Sequence, residues 1–280
     1  MTTVDYEQLR WIAVSVAAEA AALVGRMRAG AVTAVDTKSS ETDVVTAADT
    51  AAERLIRSRL AELRPGEPML GEEEGGAAVD TTGGVCWVVD PIDGTVNYLY
   101  GLPWYAVSVA ARVDGVSVAA GVVEPASGRV WSAALGMGAT LDARPLRVSD
   151  CSRLEVALIG TGFGYSAKRR AWQAKLATEL VTRARDIRRG GSCVMDLCAV
   201  AAGWLDGYVE HGLGPWDWAG GTLIAAEAGA VVRLPTADGS DPDGLGADAA
   251  LVATPGVADA LRELVQSVVA GERPDGPNRR

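Results

Sequence analysis

Leu9, Ile12, Val16, Ala20, Leu23 and Val24 recur every three or four residues between positions 4 and 29, which predicts one long amphipathic helix with Gly30 as its left-handed stop. A polar segment from Asp36 to Asp43 follows. Leu55, Ile56, Leu60 and Leu63 mark the apolar face of a second helix from about Thr46 to Leu63, ended by Arg64-Pro65-Gly66, with Asp49 and Glu53 one turn apart near its start. Beyond an acidic, Gly-rich loop, Val85-Cys86-Trp87-Val88-Val89 is a continuous apolar run of the kind a fully buried strand shows, and it stops at Asp90-Pro91. Tyr105 to Val113 and Val116 to Val123 are separated by Asp114-Gly115, a two-residue hairpin signal; Pro125 to Gly128 turns the chain again before Arg129 to Ala134. An antiparallel meander is predicted.

From about residue 150 short apolar strands alternate with helices: Val156 to Ile159, a helix near Ala167 to Ala184, another near Ser192 to Trp204, a strand at Tyr208, a helix from about Asp217 to Ala228 capped by Gly229, a strand at Val231, and a strand and helix from Leu251 to Val269. The expected organisation is an α+β lobe over 1–148, an α/β lobe over 149–270 and a disordered tail over 271–280, where Pro274, Gly276 and Pro277 accumulate. With 280 residues and 49% hydrophobic composition, the chain can bury a large core.

Charge and composition narrow the chemistry. Twenty-six basic against thirty-six acidic side chains leave a net charge of −10, so no bulk field draws the chain to nucleic acid or to an anionic membrane, and an anionic substrate would need local cations. The Ala-rich run Trp11 to Val24 is interrupted by Glu19, and no basic start precedes it; neither export nor membrane insertion is expected. Cys86, Cys151, Cys193 and Cys198 form no CxxC pair, the pattern of reduced packing thiols in a cytoplasmic protein, and zinc is not expected. A single histidine, His211, excludes phosphohistidine chemistry and multi-imidazole metal sites.

Three strings carry chemistry. Trp87-Val88-Val89-Asp90-Pro91-Ile92-Asp93-Gly94-Thr95 sets two carboxylates three residues apart where a buried strand ends, an oxygen set suited to Mg²⁺, and Gly94 lets the chain bend so that the N–H groups of Gly94 and Thr95 open toward a phosphate. Leu70-Gly71-Glu72-Glu73-Glu74 is a loop in which Glu72 has reason to point inward beside those aspartates. Gly214-Pro215-Trp216-Asp217-Trp218-Ala219-Gly220 puts a carboxylate at a helix start, where it can also serve as an N-cap.

These strings together resemble the signatures of the inositol monophosphatase family. The first matches over Trp87 to Tyr98, the second over Gly71-Glu72-Glu73, the third over Pro215-Trp216-Asp217 with Gly220. Lys38-Ser39-Ser40, Val45 to Asp49, Gly160 to Phe163 and Arg188 to Ser192 extend the likeness, so that nearly the whole of 5–269 is in register. The resemblance implies the layered αβαβα sandwich of the sugar-phosphatase superfamily, an α/β fold; a cytoplasmic homodimer; and Mg²⁺-dependent, Li⁺-sensitive hydrolysis of myo-inositol 1-phosphate and related polyol monophosphates. It implies two to three Mg²⁺ per site: one held by Glu72, Asp90 and the Ile92 carbonyl, a second by Asp90, Asp93 and Asp217, and a weaker third near Glu72. Thr95, Asp49 and Glu72 take the catalytic roles, Thr95 and Asp49 orienting the water that attacks phosphorus. Asp93, Gly94, Thr95, Arg188, the Gly191-Ser192-Cys193 backbone, Glu210 and Asp217 are implied to contact substrate, with Lys38 in support.

Alternatives on the same scaffold are fructose-1,6-bisphosphatase or 3′-phosphoadenosine phosphatase activity. A non-enzymatic role with transcription or RNA-processing proteins is associated with the SuhB-type branch, which this sequence also resembles. The spacing Asp90-Pro91-Ile92-Asp93 departs from the DxDGT of aspartyl-phosphate phosphatases. Gly160 to Gly164 lacks GxGxxG spacing and reads as a tight turn, and Asp238 to Asp248 lacks a calcium-loop pattern and reads as a solvated loop. His211, beside Glu210, reads as structural, and Trp104, Trp131 and Trp172 as packing residues.

Overall fold

A computed structural model describes residues 4–29, 35–37, 44–76, 84–236 and 238–271. The tail at 272–280 and Lys38 lie outside the described residues.

Helix α1 (Tyr6–Ala29) buries Leu9, Ile12, Ala13, Val16, Ala17, Ala20, Ala21 and Val24. By length and composition it is apolar enough to cross a membrane, but this face packs in one core cluster with α2 (Ala47–Leu63) and the following sheet. A short antiparallel pair, β1 (Val35–Thr37) and β2 (Val44–Thr46), precedes α2.

The sheet beneath α1 and α2 has seven strands: β3 (Met69–Gly71), β4 (Val85–Asp93), β5 (Ala106–Val113), β6 (Val116–Val123), β7 (Val130–Ala134), β8 (Ala139–Leu141) and β9 (Arg144–Pro145), adjacent in that order. Only the β3–β4 pair is parallel. Val113 pairs with Val116 across Asp114 and Gly115, whose φ angles of 48° and 77° are those of a tight hairpin turn. Small residues let α1 approach β6 closely: a Cβ on Gly121 would lie 2.5 Å from the Val14 nitrogen. The six-residue helix α3 (Thr95–Tyr100) follows β4.

The second sheet has five strands in the order β11-β10-β12-β14-β13, from β10 (Leu158–Thr161), β11 (Asp186–Arg188), β12 (Gly207–His211), β13 (Val231–Arg233) and β14 (Ala249–Ala253). Helices α5 (Cys193–Ala201) and α6 (Pro215–Glu227) lie between the sheets, sharing a core with Val88, Ala120 and Trp131 of the first and Tyr208 and Val252 of the second. Helices α4 (Ala167–Arg183) and α7 (Pro255–Gly271) cover the far face of the second sheet. The layers run α, β, α, β, α, the sandwich expected.

Boundaries differ where local signals were weakest. Strands β3, β8, β9 and β11 have three residues or fewer and show no readable alternation. The helix expected from Asp217 begins at Pro215, whose missing N–H suits the first helical turn. The strand expected from Val156 begins at Leu158, after a 3₁₀ turn over Leu154–Val156.

Candidate active site

Strand alternation puts residues three apart on opposite faces, yet Asp90 and Asp93 face the same space. In the β4–β5 ladder Asp90 pairs with Ser108 and Asp93 with Ala106, so Pro91 and Ile92 together stand opposite Val107. This bulge inserts the extra residue that turns Asp93 back toward Asp90. The Ile92 N–H donates to Asp90 Oδ1 at 3.0 Å, while Asp90 Oδ2, buried, has no hydrogen-bond partner among the described residues. Gly94 then takes a left-handed conformation (φ 93°), with Trp104 O, Ser192 Cβ and Tyr105 Cβ within 3.2 Å of where a Cβ would sit.

At the start of α2, Asp49 is fully buried. Its Oδ2 accepts from the Thr46 N–H (2.9 Å) and hydroxyl (2.5 Å), closing a capping box, and its Oδ1 lies 3.0 Å from Thr95 Oγ1. Burial raises the Asp49 pKa, partly offset by the bonds from Thr46. One turn on, Glu53 is also fully buried: Oε2 accepts from the Glu73 N–H (2.8 Å), Oε1 from the Glu74 N–H (3.0 Å), and Arg57 pairs with it at 2.8 Å. Glu53 therefore holds the loop that brings Glu72 to the site. Gly71 leaves it room, since a Cβ there would come within 2.2 Å of Glu53 Oε1.

Asp93 meets the start of α5. Its Oδ2 accepts from the Ser192 hydroxyl (2.5 Å) and the Val194 N–H (2.6 Å), and its Oδ1 from the Cys193 N–H (3.3 Å). Asp217 is not the N-cap of α6 but its third residue, reaching back so that Oδ2 accepts from the Gly214 N–H at 2.6 Å. Asp90, Asp93 and Asp217 each present a carboxylate oxygen, the three lying within 4.8 Å of one another. Glu72 is outside this trio but lines the same cavity of about 400 Å³, together with Ile92, Gly94, Thr95, Gly191, Ser192, Cys193 and Glu210.

The acidic groups shift one another. Burial, then the charges of Glu72, Asp93 and Asp217, pushes Asp90 well above the usual carboxylate range; burial does the same to Asp217, helped by Asp93 and Glu72. Asp93 rises to about 7, burial outweighing the bonds from Ser192 and α5. Several carboxylates cannot all stay ionised in one cavity without positive charge among them. An orphaned buried oxygen in an all-oxygen donor set is what a hard divalent cation satisfies.

Arg188, an expected substrate contact, is not among the residues that line this cavity. The Arg188 guanidinium bonds Asp186 (2.6 Å) and the Ile187 carbonyl (2.8 Å), and the neighbouring Arg189 lines the cavity. The two alternate about an edge strand too short to read in sequence. Asp196, Tyr208, Arg169 and Trp216 also line the cavity unanticipated. Tyr208 donates its hydroxyl to Glu210 Oε2. Gly162, in the turn read at Gly160 to Gly164, leaves room for this carboxylate: a Cβ there would sit 1.9 Å from that oxygen, so a larger residue would displace the Glu210 side chain. His211 is structural: it is buried, with Nε2 2.7 Å from Leu245 O and its ring edge-on to Trp172. Asp241 accepts from the Leu245 and Gly246 N–H groups, so its loop is held by turn bonds.

Known proteins share this arrangement of segments. "Inositol-1-monophosphatase" of Mycobacterium leprae is 54% identical over 278 residues, 94% of each chain. "Nus factor SuhB" of Salmonella typhimurium is 40% identical over 191 residues, 68% of this chain and 71% of that one. The solved structure of Mycobacterium tuberculosis SuhB superposes with a TM-score of 0.79 at 45% identity, covering 95% of this chain and 98% of the other. The model of the inositol monophosphatase family matches residues 5–270. By that match and those identities, the chain belongs to the inositol monophosphatase family and is a metal-dependent phosphatase acting on phosphate monoesters.

Proposed function

We propose that the chain hydrolyses myo-inositol 1-phosphate, and related polyol monophosphates, to the alcohol and inorganic phosphate with Mg²⁺ as cofactor. The observation that carries this reading is the trio Asp90, Asp93 and Asp217 around one point, with Asp90 Oδ2 left unpartnered. Glu72, Asp90 and the Ile92 carbonyl would hold one Mg²⁺, Asp90, Asp93 and Asp217 a second, and Glu72 a weaker third. When bound, the ions supply the positive field and Lewis acidity that make water nucleophilic and stabilise charge developing on the phosphoryl and leaving oxygens.

The protein's own groups do the orienting. Thr95 donates its one O–H hydrogen bond to Asp49, and a lone pair of its oxygen accepts a hydrogen bond from the attacking water and aims it at phosphorus; as the P–O bond forms, the water's proton passes to Thr95 while the Thr95 proton passes to Asp49. The Gly94 and Thr95 N–H groups, at the opening turn of α3, receive phosphate oxygens. Asp93, Asp217 and Glu210 accept ring hydroxyls beside the Gly191-Ser192-Cys193 backbone. The Cys193 N–H is shared with Asp93, so Gly191 and Ser192 carry more of that contact. The leaving alkoxide takes a proton from solvent.

In this reading a first lobe, up to about residue 148, carries most of the metal motifs, and a second, over 149–270, adds Asp217 and Glu210. The chain acts in the cytoplasm as a homodimer and is inhibited by Li⁺ competing for the second Mg²⁺ position; four cysteines that form no disulfide support the compartment. A role with transcription proteins rests on the names of relatives alone. The test is a substrate panel in Mg²⁺: kcat/KM is expected to be highest for inositol 1-phosphate, and much faster turnover of fructose 1,6-bisphosphate or of 3′-phosphoadenosine 5′-phosphate would overturn the specificity.

A further inference from the structure

Gly160 and Gly162 lack a nucleotide-binding spacing and take no part in the metal site, yet both face β12. Gly160 pairs with Tyr208 across the β10–β12 ladder. A Cβ on Gly160 would lie 2.9 Å from Tyr208 Cδ2, and one on Gly162 within 2.4 Å of both Glu210 carboxylate oxygens. Alternation along an extended chain sends residues two apart to one side. The two glycines therefore leave a slot in which the tyrosine ring and the glutamate carboxylate lie next to each other, at the edge of the catalytic cavity.

Tyr208 is buried, and its hydroxyl donates to Glu210 Oε2. The surroundings fix that direction. Burial, then Cys193, Glu210 and Asp196, holds the Tyr208 pKa well above the ordinary phenol value, so the phenol keeps its proton. Cys193, its neighbour in the cavity lining, is raised by burial and by Glu210, Asp93 and Asp217, and stays a thiol. Glu210 is thus the acceptor, and the bond from Tyr208 offsets part of the rise that burial imposes on its pKa. One carboxylate oxygen is committed to the tyrosine, which leaves Oε1 to face a ligand.

We propose that Tyr208 is a positioning residue: seated against Gly160, it fixes Glu210 beside Gly162 so that Oε1 accepts a hydroxyl of the ester's alcohol, and thereby sets the preference for polyol monophosphates over phosphate esters that lack such a hydroxyl. The inference rests on the polyol-phosphate reading above and deepens it. A carboxylate already held loses little side-chain freedom when substrate arrives, so its bond to the hydroxyl contributes more to binding. Tyr208 belongs neither to the metal-ligand set nor to the phosphate contacts of α3, so its effect falls on KM for the polyol and not on kcat.

The experiment measures kcat and KM for inositol 1-phosphate and for p-nitrophenyl phosphate, which carries no alcohol hydroxyl, in Mg²⁺-loaded wild type, Tyr208→Phe, Gly162→Ala, Glu210→Ala and the Tyr208→Phe/Glu210→Ala double variant. Loss of one hydrogen bond to a charged group predicts that Tyr208→Phe lowers kcat/KM for inositol 1-phosphate, relative to p-nitrophenyl phosphate, by about 10-fold, and does so through KM. Gly162→Ala, which keeps the tyrosine and displaces the carboxylate, is expected to move the ratio the same way. In the Glu210→Ala background Tyr208→Phe is expected to change the ratio no further, since it acts through the missing carboxylate. An unmoved ratio overturns the role. So do additive effects in the double variant, or a Tyr208→Phe that loses activity on both substrates together, the mark of a merely structural tyrosine. A wild type inactive on inositol 1-phosphate overturns the polyol reading itself, and the positioning role with it.

Discussion

Thr95 Oγ1 lies 3.0 Å from Asp49 Oδ1 although 46 residues separate the two in the chain, and it is equally close to the Ile92 carbonyl. A hydroxyl has one proton to give, and the carboxylate is the stronger acceptor. That direction of donation leaves the Thr95 lone pairs to accept a hydrogen bond from water. Thr95→Ala is therefore expected to lower kcat by about 10²- to 10⁴-fold with little change in KM, and Thr95→Ser to retain most activity. Steady-state kinetics checks this; a rise in KM with kcat intact would mean that Thr95 holds substrate instead.

Asp90 sits under three neighbouring acids with one oxygen unpartnered. Asp90→Asn is expected to abolish turnover and the calorimetric heat of Mg²⁺ binding while raising the thermal stability of the metal-free protein, because the amide stays neutral without taking up a proton in a buried site whose acidic neighbours disfavour a charge. Undiminished Mg²⁺ binding in this variant would place the cation elsewhere.

The raised carboxylates fix the sign of a pH effect in metal-free protein. Burial pushes Asp93 up to about 7 in the folded protein from an ordinary 3.8; Asp90 and Asp217 are displaced in the same direction. Such groups hold more protons folded than unfolded, so their contribution is complete below the ordinary carboxylate range and is lost as pH rises through the folded values. In EDTA, Tm is expected to fall between pH 5 and 8 by at least about 5 °C, and Mg²⁺ to restore it. Stability that rises over this window without metal would contradict the clustering.

Glu53 accepts both the Glu73 and Glu74 N–H groups. In Glu53→Gln the amide keeps one acceptor oxygen for two donors, loosening the loop that carries Glu72. The expected result is a rise of about 10- to 100-fold in the Mg²⁺ concentration for half-maximal activity, as removal of a ligand's supporting partner typically gives. Circular dichroism should show the fold intact; an unchanged Mg²⁺ requirement would separate Glu53 from the site.

What could be read from the sequence was what is local. The string from Trp87 to Thr95 carries its strand, turn and helix start within nine residues, so Asp90, Asp93 and Thr95 stand out from the sequence alone. The bulge that aligns the two aspartates was not, because it shows only in the pairing with Ser108 and Ala106. Glu53 stood out only as lying one turn from Asp49; its partners are 20 and 21 residues away and are brought to it by the packing of α2 against β3 and β4. That Arg189 and not Arg188 lines the cavity has the same origin, since facing in a three-residue edge strand depends on the neighbouring strand β10.

The central claim is that the acidic cavity works by collecting divalent cations. Its most direct measurement is inositol 1-phosphate hydrolysis by the purified chain, first stripped with EDTA and then titrated with MgCl₂. The account predicts no turnover in EDTA and a saturable recovery as Mg²⁺ is added; hydrolysis that persists in EDTA, or that ignores added Mg²⁺, would contradict it.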